Sequence, residues 1–258
     1  MREFVTFAER LAEVSANIIK QYFRAELSID AKSDGTPVTI ADKKAEAAMR
    51  ELIMKEYPGH GILGEEFDDH QPEAEYQWIL DPIDGTKTFV SGTCLFGTLI
   101  GLMRNSRPIL GVINNPIVEH CLIGADGETH LNGQQVRVRP CNSIEQATAL
   151  CTSHWSVEKH HNMTAFESLT RQAKLYRSWG DCHGYYLVAT GYADVMLDPV
   201  MNPWDLIPLV PIIEGAGGRI TDWYGGDVLS GQGTVATAGD IHDLVIQSLS
   251  PGKDLQPD

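Results

Sequence analysis

The 258-residue chain is short of cation chemistry and of sulfur chemistry. Only 20 Lys and Arg stand against 35 Asp and Glu, a formal charge of −15, and no basic cluster breaks the acidic excess. Such a surface disfavours nucleic acid and anionic membranes as partners. The five cysteines, Cys94, Cys121, Cys141, Cys151 and Cys182, are odd in number and form no CxxC pair or Cys/His zinc spacing. Free thiols in a reducing cytoplasm are the expectation. There is no basic-then-apolar leader at Met1–Tyr22, and no apolar run long enough to span a bilayer. Missing too are a Cys-x₅-Arg phosphate loop and an Asp-x-Asp nucleophile motif, so covalent phosphoenzyme chemistry has no carrier. Solubility is the plain reading of the charge; concentration of carboxylates in a cation-recruiting pocket is the functional one.

What is present is a chain long enough for one substantial core, with 24 Gly and 13 Pro scattered rather than repeated. Apolar spacing predicts an amphipathic helix over residues 3–24 and a second over 40–56. Strands are expected at 77–80, 96–104, 109–114, 121–125 and, weakly, 136–138. Residues 105–108 should make a four-residue hairpin loop. The second half alternates: strands at 147–151, 175–178, 195–197 and 219–222, helices at 163–173 and 183–192. A further helix is expected to begin at Asp205, capped by that side chain, bent at Pro211 and ended by Gly217-Gly218. Strands first and alternation later predict stacked layers of helix and sheet in one domain. Its halves would be about 1–140 and 141–258, with no flexible linker.

The most informative stretch is Asp81-Pro82-Ile83-Asp84-Gly85-Thr86. Two carboxylates lie three residues apart at the end of an apolar strand, with Pro82 stiffening the link and Gly85 permitting a sharp turn. Such a turn can aim both side chains and the Ile83 carbonyl at one point, and hard cations are held by oxygens of this kind. Two carboxylates about 4 Å apart repel by roughly 4 kcal/mol at an effective dielectric of 20, so converging acids call for a cation. Gly64-Glu65-Glu66 upstream and Trp204-Asp205 downstream complete the set. Singly, each has an ordinary reading: a turn, a solvated acidic pair, a helix cap.

In combination they resemble the inositol monophosphatase family, in order and spacing, from about Lys32 to Asp222. The resemblance implies a five-layer αβαβα sandwich, Mg²⁺ dependence, lithium sensitivity and a homodimer. It makes Glu65, Asp81 and the Ile83 carbonyl the ligands of one Mg²⁺. Asp84 and Asp205 would join Asp81 around a second, with a third ion near Glu65. Asp42 and Thr86 would orient or deprotonate the attacking water, Glu65 assisting. Lys32 would sit in a loop over the site, and the Gly85 and Thr86 amides would hold phosphate.

The distal half bears on the alcohol. Trp179-Gly180-Asp181-Cys182-x-Gly184-Tyr185 with Asp198-Pro199-Val200-Met201-Asn202-Pro203-Trp204-Asp205 looks like the histidinol-phosphate phosphatase branch. That branch implies substrate contacts from Asp181, Cys182, Asp198 and Asn202. An ammonium-bearing substrate suits two added carboxylates; Asp181 as a helix cap is the alternative. His183 reads as a packing or stacking group, and His154, His160 and His161 as surface. A broader inositol- or sugar-phosphate phosphatase stays open, as does a non-catalytic metal- or partner-binding module. Bisphosphate specificity lacks the basic cluster it would need.

Overall fold

The computed structural model describes residues 1–25, 29–31 and 37–250, without the side chains of 26–38, so Lys32 lies outside the described residues. Helices α1 (Arg2–Tyr22) and α2 (Ile40–Glu56) are followed by α3 (Thr86–Val90), α4 (His154–His160), α5 (Met163–Gln172) and α6 (Asp181–Ala189). Then come α7 (Pro203–Leu206), α8 (Leu209–Gly215) and α9 (His242–Leu249). A small hairpin pairs β1 (Ile29–Ala31) with β2 (Pro37–Thr39).

The larger sheet orders its seven strands in sequence: β3 (Gly61–Gly64), β4 (Tyr76–Asp84), β5 (Gly97–Arg104), β6 (Arg107–Asn115), β7 (His120–Ala125), β8 (Glu128–Leu131) and β9 (Gln134–Gln135). The second sheet, of β10 (Thr148–Cys151), β11 (Leu175–Arg177), β12 (Val195–Asp198), β13 (Gly218–Thr221) and β14 (Thr234–Ala238), runs β11-β10-β12-β14-β13. One face of the larger sheet carries α1 and α2 through Phe7, Leu11, Met49, Ile53 and Trp78. Its other face shares a core with α6, α8 and the second sheet, centred on Leu99, Tyr185, Ile212 and Met196. Beyond the second sheet, α5 and α9 close an outer core around Phe166, Trp223 and Ile246. The layers therefore run αβαβα, as expected.

Glycine decides how α7 and α8 sit. Gly101, Gly111 and Gly124 are paired side by side across β5, β6 and β7. A Cβ on Gly111 would lie 1.8 Å from the Pro208 carbonyl oxygen, and one on Gly124 would lie 2.5 Å from the Ile212 backbone. Next along the row is Thr129 on β8, whose hydroxyl donates to the Ile212 carbonyl at 2.7 Å. The helical segment thus rests its backbone directly on the sheet, and this seat carries Asp205 toward β4.

Several elements differ from the sequence reading. Asn105 and Ser106 alone make the β5–β6 turn, both at positive φ, and Pro108 is absorbed at a register irregularity inside the pair. Val136–Val138 is no strand: Val136 and Val138 donate to the Thr129 and Ala216 carbonyls in extended chain. β1, β2, β3, β8, β9, β14, α3, α4 and α9 have no counterpart in the sequence reading. The helix expected at Asp205 begins at Pro203, with Asn202 as its cap and Asp205 at its third position. Its break falls at Ile207–Pro208, one turn before Pro211, because Pro211 has no N–H for the Ile207 carbonyl and its ring crowds that group. α6 starts two residues early, at Asp181, and Gly180 caps it without a side-chain bond. Asp181 is therefore not a helix cap.

Candidate active site

The site begins where two parallel strands end together. β3 and β4 pair through Gly64 and Leu80, and the Glu65 amide donates to the Leu80 carbonyl at 3.1 Å, so Glu65 arrives beside Asp81. β4 pairs with β5 through Asp81 and Leu99, then again through Asp84 and Gly97, three steps on one strand against two on the other. The extra residue re-aims the chain, as bulges do. The Ile83 amide donates to Asp81 Oδ1 at 3.0 Å, and the Thr98 hydroxyl holds the Pro82 carbonyl at 2.9 Å. Gly85, at φ 85°, then turns the chain into α3. Thr86 Oγ1 donates back to the Ile83 carbonyl at 3.0 Å.

Asp205 enters from the other half. Its Oδ2 accepts the Asn202 amide at 3.0 Å and Asn202 Nδ2 at 3.1 Å, a reciprocal capping arrangement that fixes the carboxylate. Asp81, Asp84 and Asp205 each offer an oxygen, and these oxygens lie within 4.8 Å of one another. Burial foremost, then Glu65, Asp84 and Asp205, pushes the Asp81 carboxyl well above the usual range. Asp84 is likewise raised, by burial and then by Asp181 and Asp205. Burial pushes Asp205 up to about 6, against the lowering effect of the Asn202 amide. Acids that raise one another in this way, with oxygen as the only donor type, suit a hard divalent cation.

Asp42 is buried on the first turn of α2. Its Oδ2 accepts the Thr39 amide at 2.9 Å and the Thr39 hydroxyl at 2.6 Å, while Oδ1 is buried without a hydrogen-bond partner among the described residues. Burial raises it to about 6. Asp42 and Thr86 do not hydrogen-bond each other: among the described residues the Thr86 hydroxyl is taken by Ile83.

A cavity of about 490 Å³ opens here, with Glu65, Gly85, Thr86, Asp181, Asn202 and Trp204 in its wall. Thr88, Thr152, Ser153 and Lys87 complete much of that wall and carry no sequence signal, and Ser178, at the head of the stretch that the family resemblance places against substrate, joins them. Asp181 adopts φ 51°, a left-handed conformation rare outside glycine. Its amide donates to Thr152 Oγ1 at 2.8 Å, and its Oδ2 receives Thr88 Oγ1 at 3.5 Å, beside Gly85.

Cys182 and Asp198 are buried and contribute nothing to the wall. The Cys182 amide donates to Asp84, and its buried thiol also meets the Asp84 carboxylate and is raised chiefly by burial, then by Asp84. Asp198 accepts the Tyr185 hydroxyl at 2.9 Å and is pushed up to about 8, mainly by burial. His183 lines a separate small cavity with His120 and Tyr186. His160 is exposed, whereas His154 and His161 are half-buried and tied into the outer layer. His154 bonds the Tyr176 hydroxyl, and His161 stacks on buried Trp223 at 4.1 Å and reaches the Pro199 carbonyl.

The inositol monophosphatase family matches residues 1–253. The chain belongs to the inositol monophosphatase family. It is 40% identical to the bifunctional phosphatase IMPL2, chloroplastic, of Arabidopsis thaliana, over 95% of this chain and 75% of that protein. It is 35% identical to a histidinol-phosphatase of Chlorobaculum parvum, over 95% of this chain and 96% of the relative. In three dimensions it resembles an inositol monophosphatase from Zymomonas mobilis, with a TM-score of 0.85 and 38% identity over 96% of this chain and 97% of that one. The chain is a phosphoric monoester hydrolase of a metal-dependent family that acts on small phosphorylated substrates. Among its described residues no helix is long and apolar enough to cross a membrane.

Proposed function

We propose that the protein is a Mg²⁺-dependent phosphatase that hydrolyses histidinol phosphate to histidinol and phosphate. The observation that carries the substrate is Asp181. It brings a carboxylate to the cavity wall beside the turn at Gly85, where a cationic amine on the leaving alcohol finds a partner. Asn202 adds an amide from the opposite half. Relatives of similar identity carry different names, so the substrate reading leans on this residue.

In this reading Glu65, Asp81 and the Ile83 carbonyl would hold one Mg²⁺, Asp81, Asp84 and Asp205 would hold a second, and a third would lie near Glu65. When bound, the ions neutralise phosphoryl charge and make water more acidic. Gly85 and the start of α3 present amides that no turn of helix precedes, suited to phosphate oxygens. Thr86 would orient the water from the wall, and Asp42, raised by burial to about 6 and with one oxygen unpartnered among the described residues, is the proton acceptor in this reading. Water oxygen bonds to phosphorus as one of its protons passes to Asp42, the ester P–O bond breaks, and the leaving alcohol oxygen takes a proton from solvent, which the one released by Asp42 replaces. A homodimer, lithium inhibition and a Lys32 contact belong to the same proposal.

A second reading, an inositol phosphatase, is favoured by the Zymomonas mobilis similarity. Phosphate release from histidinol phosphate and inositol 1-phosphate, measured side by side, separates the two. Preference for histidinol phosphate is expected; preference for inositol phosphate would replace this reading with the second.

A further inference from the structure

Asp42, Glu46 and Arg50 recur at every fourth position of α2 and share one face of it. Glu46 is wholly buried, yet it is an acid. One oxygen accepts Arg50 Nε at 2.7 Å, and the other accepts the Glu66 amide at 2.8 Å. The Arg50 guanidinium donates onward to the Asp68 carbonyl at 2.9 Å and the Phe67 carbonyl at 3.0 Å, and it lies over the Phe67 ring. Gly64 leaves room for this: a Cβ there would fall 2.0 Å from Glu46 Oε1.

A buried ion pair is a poor source of stability, since desolvation offsets most of the attraction and apolar side chains fill such space as well. What this pair adds is direction. It bonds the Glu66 amide and the Phe67 and Asp68 carbonyls, the backbone immediately after Glu65. We infer that Glu46 and Arg50 are positioning residues, which hold the Gly64–Asp68 loop so that Glu65 is set for cation binding. Because Asp42 lies one turn earlier on the same face, α2 places Glu65 and Asp42 as one rigid unit. The inference rests on the metal reading given above.

Glu46→Gln keeps shape and removes charge; Arg50→Lys keeps charge and removes the forked pair of carbonyl bonds. Free Mn²⁺ counted by electron paramagnetic resonance gives the affinity without turnover, and circular dichroism reports the fold. Both variants should bind Mn²⁺ about 10–100-fold more weakly, the usual cost of losing a group that orients a ligand. Their kcat should return toward that of the parent at saturating metal. Folded Arg50→Lys protein with parental Mn²⁺ affinity would overturn the inference, whatever happens to its melting temperature. If Glu46→Gln does not fold, Arg50→Lys decides alone. A parent protein that binds no Mn²⁺ would overturn the metal reading, and this inference with it.

Discussion

Gly111 lies against Pro208 so closely that a single added carbon would sit 1.8 Å from the proline's carbonyl oxygen. That contact joins the middle of the larger sheet to the segment that carries Asp205. A side chain on Gly111 must lift this segment, and Asp205 with it. Gly111→Ala should lower stability by about 1–3 kcal/mol, the ordinary cost of overpacking, and should depress turnover as well. Gly59→Ala, where an added Cβ meets nothing within 4 Å, should change neither. Thermal unfolding and initial rates on the two variants test this; an active, parent-like Gly111→Ala would show that the seat is not needed.

The acid cluster makes a prediction of opposite signs. Asp84→Asn removes one of the charges that raise Asp81, so the metal-free protein should melt no lower than the parent. Turnover should nonetheless fall by at least about 100-fold, the equivalent of roughly 3 kcal/mol of lost transition-state stabilisation. Circular dichroism paired with phosphate release checks both halves. Unchanged activity would remove Asp84 from the chemistry.

Stability of the chelated protein should fall as pH rises above 7. Asp42 and Asp205 titrate at about 6 in the folded protein, and Asp198 at about 8. Unfolded, each ionises near 4. Between those values the folded state holds protons that the unfolded state has lost, and the slope of stability against pH is then negative. The stabilisation is complete below pH about 4, declines through 6 for Asp42 and Asp205, and declines up to 8 for Asp198. Burial holds His183 and His242 down at about 4, which makes stability rise until the unfolded imidazoles lose their protons near 6.5, so the fall is read above that point: melting temperatures measured from pH 7 to 8 should decrease with chelator, and Asp198→Asn should flatten that part of the curve. A curve rising over that range would contradict the assignment.

Much of this architecture is legible in the residues, and the illegible parts share a cause. α2 is legible to its ends because the apolar stripe of Ala45, Met49 and Leu52 and the stop at Tyr57-Pro58-Gly59 agree, while its Thr39 cap is seen only in the structure. The Asp81–Thr86 turn was legible because its chemistry is local. β3 and β14 were missed: each is short, and each is a strand only because a neighbour pairs with it. The Asn105–Ser106 turn was hidden by Pro108, which marks a bulge rather than the bend. Asp205 lies with Asp81 and Asp84, but it is the third residue of its helix rather than the cap, because Asn202 takes that place. The glycine row means nothing until strand register aligns residues 101, 111 and 124. Thr88 and Thr152 are unremarkable singly and reach the cavity from two separate segments.

Specificity should turn on Asp181. Asp181→Asn removes the charge while keeping the side chain's size, and Asn tolerates the left-handed backbone that this position adopts. A charge-assisted contact is worth about 1.5–3 kcal/mol, so kcat/KM for histidinol phosphate should drop about 10–100-fold. The value for inositol 1-phosphate, which has no ammonium group, should change little. Equal losses on both substrates would make Asp181 a structural residue.

The most direct test is an anomalous-scattering map of crystals soaked in Mn²⁺. The account predicts a peak bound jointly by Asp81, Asp84 and Asp205, with a second shared by Asp81 and Glu65. Well-ordered crystals in which Mn²⁺ avoids these four carboxylates and binds elsewhere would contradict it.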